Sequence, residues 1–363
     1  MSRVYNFNPG PSALPLPVLE TVQRELLDYR GTGISVMEMS HRSPQFEQIN
    51  GEAESLVLEN AGLSPDDYRV LFLQGGASLQ FSMIPMNFLA PEAVADYVVT
   101  GSFAEKAHKE AKKIGRVHVA ATTKESNYST IPRQAELQFS DNPAYVHITS
   151  NNTIYGIQWP YIPDCGDAPL VVDMSSDILS RELDMSRFDL VYAGAQKNMG
   201  PSGVTVVIIR KSFLEKERSD IPSAMLSYKV HGEADSLYNT PCTFGIYIIW
   251  LIMQWIKEMG GVKVLGAINK QKAELIYGAI DASNGFYRGH AVKEARSGMN
   301  ITFRLPDAAL EKKFADEATK AEMIGLKGHR SVGGIRASIY NAMPLKGCQA
   351  LVSFMDEFAR RNG

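Results

Sequence analysis

Three short segments bring together residue types that can do chemistry as a set. Lys197 sits in Gly194-Ala195-Gln196-Lys197-Asn198-Met199-Gly200-Pro201-Ser202-Gly203, a glycine-rich loop between the apolar runs 188–193 and 204–209. Shelter between two buried strands depresses the pKa of an amine and frees it as a nucleophile. Asp173 follows Leu170-Val171-Val172, which places a carboxylate at the mouth of a sheet. The run 70–73 leads into Gln74-Gly75-Gly76-Ala77-Ser78 and then a helical pattern. Exposed backbone N–H groups and a helix N-terminus there suit a phosphate.

Taken singly, each segment has a plain structural explanation: a solvent-facing loop lysine, an acid capping a turn through Ser175 or Ser176, and a tight strand-to-helix turn. Together they are the three parts that hold pyridoxal phosphate. The cradle takes the phosphate, the carboxylate keeps the pyridine nitrogen protonated so that the ring is an electron sink, and the lysine forms the Schiff base. Neither the dinucleotide-binding G-x-G-x-x-G nor the P-loop pattern occurs in the chain.

A second set is cationic. His41-Arg42 and His329-Arg330 each pair an imidazole with a guanidinium, and Arg336 projects from the polar face of an alternating stretch in which Ile335 and Ala337 point to the core. Arginines bind carboxylates and phosphates in bidentate fashion, so three such positions predict a substrate with two or three negative charges. For any one of them alone, a solvated charge or surface ion pair is the commoner outcome. None of the seven histidines has a metal-ligand spacing, and no metal is expected.

These residues need a frame. In open parallel sheets ligands bind beyond the carboxyl ends of the strands, where Gly75-Gly76, Asp173 and Lys197 all fall. Apolar runs at 70–73, 97–99, 145–148, 170–172, 188–193 and 204–209 alternate with helical stretches, the pattern of a buried, mainly parallel sheet covered by helices. Ser43-Pro44 reads as an N-cap and first turn of a helix whose apolar face includes Phe46, Ile49, Ala53, Leu56 and Val57. Beyond Met259-Gly260-Gly261 the stretches 299–305 and 335–340 alternate as half-buried strands of a smaller α+β unit. The fold class is therefore α/β, with a large domain over residues 15–258 and a small C-terminal α+β domain over 259–363. Segment 1–14 is expected to pack near the latter.

The length of 363 residues suits about two domains, and 45% hydrophobic with 21% charged residues is ordinary globular composition. With Lys plus Arg at 37 against Asp plus Glu at 40, no global field favours nucleic acid or an anionic membrane. Cys165, Cys242 and Cys348 fit neither a disulfide framework nor a zinc site, which points to a reducing compartment. No secretory signal is read at the amino terminus, and the most apolar stretch, 244–253, is half the ~20 residues a bilayer requires. A cytoplasmic protein is expected.

Segments from end to end resemble the phosphoserine aminotransferase family, a fold-type I group of pyridoxal-phosphate enzymes. They include Asn8-Pro9-Gly10-Pro11, Ser40-His41-Arg42-Ser43, Ala193-Gly194-Ala195-Gln196-Lys197-Asn198 and Tyr238-Asn239-Thr240-Pro241. The most specific is Lys327-Gly328-His329-Arg330 through Arg336-Ala337-Ser338-Ile339-Tyr340-Asn341-Ala342-Met343-Pro344. The resemblance implies that Lys197 carries the cofactor covalently and that Asp173 pairs with the pyridine nitrogen. It places Ala77, Ser78 and Gln196 at the cofactor phosphate, joined by Asn239 and Thr240 from a neighbouring subunit, and Thr153 at the cofactor ring. Arg336 is implied as the ligand of the substrate α-carboxylate. His41, Arg42, His329 and Arg330 are implied as a composite site from two subunits for the substrate phosphate or the glutamate side chain. A homodimer follows.

The implied reaction is reversible transamination between L-glutamate and 3-phosphohydroxypyruvate, giving O-phospho-L-serine and 2-oxoglutarate in serine biosynthesis. Phosphohydroxythreonine of vitamin B6 synthesis is an alternative substrate. Two positions depart from the family pattern. Phe103 stands where many members stack tryptophan on the cofactor ring, keeping an aromatic face without the indole N–H. Ser78 stands where some members have arginine. A related desulfurase would need a mobile cysteine at the cofactor, and a silent phosphate-binding module would need no reactive lysine.

Overall fold

The structure, a computed structural model, describes residues 3–363. Seven strands form the central sheet: β1 (Tyr68–Leu73), β2 (Val94–Val99), β3 (Arg116–Thr122), β4 (Val146–Thr149), β5 (Leu170–Asp173), β6 (Leu190–Gly194) and β7 (Thr205–Arg210). Their order across the sheet is β1-β7-β6-β5-β4-β2-β3. The ladders from β6 to β3 are all parallel, whereas β7 is antiparallel to both β6 and β1. Two reversals cancel, so β1 points the same way as β6 and its carboxyl end reaches the same edge. Six strands fall on the apolar runs seen in the sequence. The seventh, β3, has no such run, because it is an edge strand in which Ala120 alone is buried.

The longer helices are α1 (Leu16–Glu25), α2 (Pro44–Ala61), α3 (Gly76–Phe88), α4 (Ser102–Ala111), α5 (Thr243–Glu258), α6 (Gly261–Ala282), α7 (Ala308–Lys320) and α8 (Leu345–Asn362). Ser43 caps α2 through Oγ, which accepts from the Phe46 N–H at 3.3 Å, and Gly62 ends it in the left-handed region with φ 67°. Phe46, Ile49, Ala53 and Val57 are buried as the sequence predicts, against the apolar α5. No helix of the described residues is long and apolar enough to cross a membrane.

A second core lies beyond the sheet. Strands β8 (Arg288–Gly289), β9 (Asn300–Arg304) and β10 (Ile335–Ser338) pair antiparallel, and Ile301, Phe303, Ile335 and Ala337 pack with Phe314, Leu351 and Phe358. The Tyr5–Asn6 strand pairs in parallel with Met323–Ile324, and Phe7 is fully buried in this core. Met1 and Ser2 of the segment expected there lie outside the described residues. Helix α6 serves both cores, giving Leu265 to the first and Ile276 and Ile280 to the second.

One expectation needs correcting. Half-buried strands would leave their polar face open, yet Asn300, Arg336 and Ser338 on that face are 0%, 6% and 1% exposed. That face packs on loops of the large domain. Asn151 Nδ2 donates to Asn300 Oδ1 at 2.8 Å, and Thr302 Oγ1 donates to the Tyr155 carbonyl at 2.8 Å. Asn300 Nδ2 also donates to Ser338 Oγ at 2.9 Å, whereas Arg336 Nε is left without a partner among the described residues.

Candidate active site

The carboxyl edge of the central sheet opens on a cavity of about 290 Å³. After β1 the chain turns sharply at Gly75, with φ 92° and with Leu79 carbons 2.6–2.7 Å from where a Cβ would stand, so only glycine fits. That turn presents Gly76, Ala77 and Ser78, the first residues of α3, to the cavity. Phe103, from the first turn of α4, forms another wall. Thr153 follows β4, Asp173 ends β5, and Gln196 and Lys197 follow β6. His329 and Arg336 reach in from the small domain.

Lys197 Nζ donates to Thr153 Oγ1 at 3.0 Å and lies 5.8 Å from the centre of the Phe103 ring. Burial lowers its pKa to about 8, an effect that the Asp173 carboxylate opposes and the Arg336 charge reinforces. A sheltered amine of this kind is present largely as the ammonium below that pH but yields the free base readily.

Asp173 is 5% exposed and burial raises its pKa, while its hydrogen bonds at Ser175 and the Lys197 charge pull the other way. Its Oδ1 accepts from the Ser175 N–H at 2.9 Å. Ser175 Oγ in turn accepts from the Gly194 N–H at 3.1 Å, which locks the end of β5 to the end of β6. The turn-capping and chemical readings of Asp173 are thus compatible, because capping occupies one carboxylate oxygen.

Arg336 is the other buried ionic group. Its Nε has no hydrogen-bond partner among the described residues, and burial lowers the pKa of the guanidinium. An orphaned, desolvated guanidinium facing a cavity is a site for an anion. His329 stands beside it, its imidazole Nδ1 2.6 Å from Ser331 Oγ.

Other predicted residues are not brought to this cavity within one chain. His41 and Arg42 occupy the turn before α2, where Arg42 Nε meets His41 Nε2 at 3.4 Å. Arg330 is exposed. Asn239 and Thr240 lie in a loop beside Gln74, whose Nε2 donates to the Thr240 carbonyl at 3.2 Å. None of the three cysteines lines the cavity, and burial pushes the Cys165 and Cys348 thiols up to about 12. Among the described residues no group of three or more His, Cys, Asp or Glu side chains could hold a metal ion.

The sequence reading missed Asn151 and the roof of the site. Asn151 Nδ2 bonds both Ser176 Oγ at 2.7 Å and Asn300, linking the two domains at the cavity wall. The polar run Thr149-Ser150-Asn151-Asn152-Thr153, directly after an apolar strand, was the available signal. The roof is the amino-terminal segment: Ser12 Oγ donates to the Lys197 carbonyl at 2.7 Å, and Tyr340 OH donates to the Pro9 carbonyl at 2.7 Å. A Cβ on Gly10 would stand 3.3 Å from Lys197 Cγ.

A lysine and a carboxylate at neighbouring strand ends, with a helix N-terminus lining the same cavity, are the parts a pyridoxal-phosphate aminotransferase site requires. Residues 4–351 match the aminotransferase class-V family, and the chain belongs to it. Within that family it is similar to phosphoserine aminotransferases. The enzyme of Herpetosiphon aurantiacus is 58% identical over 360 residues, 99% of both chains, and that of Bacillus subtilis is 55% identical over 362 residues, 100% of both. The phosphoserine aminotransferase structure from Bacillus circulans subsp. alkalophilus superposes with a TM-score of 0.97 at 55% identity, covering 99% of each chain. The pyridoxal-phosphate-bound enzyme of Trichomonas vaginalis gives 0.92 at 38% identity, covering 98% of this chain and 100% of its own.

Proposed function

We propose that the protein transfers the amino group of L-glutamate to 3-phosphohydroxypyruvate, reversibly, giving O-phospho-L-serine and 2-oxoglutarate for serine biosynthesis. The observation that carries this reading is the meeting of Lys197, Asp173 and the unpartnered Arg336 in one cavity. Pyridoxal phosphate fits the residues present, and when bound it supplies an aldehyde for the amine and a ring that withdraws electrons from the substrate α-carbon. Lys197 Nζ would hold it covalently. Its amine, oriented by Thr153 Oγ1, would carry the proton of the substrate α-carbon.

Asp173, with one oxygen held by the Ser175 N–H, would use the other to keep the cofactor's pyridine nitrogen protonated. The N–H groups at 76–78, the Ser78 hydroxyl and the Gln196 side chain would hold the cofactor phosphate, and Phe103 would stack on the ring. Arg336 binds the substrate α-carboxylate, which removes the cost of its unpaired burial. His329 and Arg330 meet the distal phosphate or γ-carboxylate.

Asn239, Thr240, His41 and Arg42 belong to the same site on this reading, delivered across a homodimer interface. Their place outside the cavity of their own chain supports that arrangement. Residues 15–258 form the cofactor unit and residues 259–363, with 1–14, the unit that brings Arg336. The enzyme works in the cytoplasm, in keeping with its three unpaired cysteines. A coupled assay with O-phosphoserine and 2-oxoglutarate tests the reading: glutamate formation is expected, and turnover of alanine or serine in preference to phosphoserine would refute it.

A further inference from the structure

One cation beside the site is absorbed by none of these roles. Lys106 lies on α4 one turn after Phe103, and its Nζ stands 5.1 Å from the centre of the Phe103 ring, the same ring that Lys197 approaches from the cavity. Helix geometry explains the placement. Side chains lean toward the helix N-terminus, so a residue at i+3 covers the one at i.

Its neighbours leave it free to act. Glu105 accepts from Tyr128 OH at 2.6 Å and lies 3.3 Å from Lys124 Nζ, and Glu110 holds Lys113 at 2.7 Å. Lys106 makes no ion pair with any described residue and is exposed. Its charge nevertheless reaches the site: the His329 imidazole is held below its usual pKa by burial first, then by Arg336, Arg330 and Lys106. Asp173 is the single acid among the lining residues. With Lys197, His329 and Arg336 also lining it, the cavity carries more basic groups than acidic ones.

We propose that Lys106 is a specificity-determining residue that attracts and holds the distal phosphate of the substrate at the mouth of the site. This rests on the reaction proposed above. A dianionic phosphate gains more from an added positive charge than a single carboxylate does, and an amino acid without a distal anion gains nothing. Because the lysine is exposed, its contribution is small and falls with salt.

The test is steady-state kinetics of Lys106→Gln and Lys106→Arg with O-phosphoserine, glutamate and alanine as donors, at low and high ionic strength. Lys106→Gln should raise KM for phosphoserine about fivefold at low salt, raise that for glutamate less, leave alanine unaltered and converge on the wild type at high salt. Lys106→Arg should restore the phosphoserine value. An unaltered phosphoserine KM, or an equal rise for alanine, overturns the proposal. A wild-type enzyme inert toward phosphoserine but active on glutamate refutes the reaction reading instead. In that case the ratio of the glutamate to alanine effects still decides the role of Lys106.

Discussion

The backbone N–H of Asn341 donates to Asn198 Oδ1 at 2.9 Å, so the residue after Lys197 is tied to the segment that follows the Arg336 strand. Asn198 Nδ2 and Asn341 Nδ2 reach the neighbouring carbonyls of Ile178 and Leu179, at 3.1 and 2.9 Å. The amine and the guanidinium come from different domains, yet these bonds fix them in one frame. Rigid support of this kind is what a site needs to hold a substrate by its carboxylate while an amine works on the adjacent carbon.

Lys197→Ala should lower kcat by roughly 10⁴-fold or more, since both the covalent link and the proton carrier are lost. The variant should still fold. Pre-steady-state mixing with glutamate, followed by absorbance, checks this, and ordinary turnover would refute the assignment.

Lys197 also makes a prediction about stability. Its folded pKa of about 8 lies below the 10.5 of an exposed lysine, so between these values the unfolded chain binds a proton that the folded one does not. Its contribution to the stability of the cofactor-free protein therefore rises from pH 8 to 10.5, and the penalty of burying the charge is fully present below 8. Lys272, buried with its Nζ bonded to the carbonyls of Ile339, Tyr340 and Met343, adds the same sign in the same window. Urea denaturation of the wild type and Lys197→Met against pH isolates the Lys197 part. The variant should be the more stable at pH 7, with the gap closing as pH rises.

For Arg336, activity and stability should move in opposite directions. Arg336→Met removes a buried charge whose Nε has no partner, so Tm should rise by about 1–3 °C. KM for every amino donor should meanwhile rise by about 10²-fold, the loss of a bidentate carboxylate contact. Calorimetry and kinetics on one preparation test both arms.

The proposed sharing of sites between two copies of the chain makes the fourth expectation. Lys197→Ala and Arg42→Ala should each be nearly inactive alone. Hybrid dimers of the two contain one site carrying both defects and one carrying neither, so mixing under exchange conditions should restore activity. No recovery in hybrids of confirmed composition would place Arg42 outside the site.

By itself the sequence determined the chemistry-bearing ends of the sheet. Lys197, Asp173 and the Gly75-Gly76 turn each lie just past an apolar run, and a run of β-branched and apolar residues announces a buried strand from local information alone. It also determined α2, whose cap at Ser43 and apolar spacing are local. Tertiary structure decided the rest. Arg336 was legible as a strand residue but its burial was not, because the face that covers it comes from loops distant in the chain. The edge strand β3 and the Asn151–Asn300 link share that cause. Periodicity reports how a segment divides its own two faces, whereas which of those faces meets water is set by whatever packs against it.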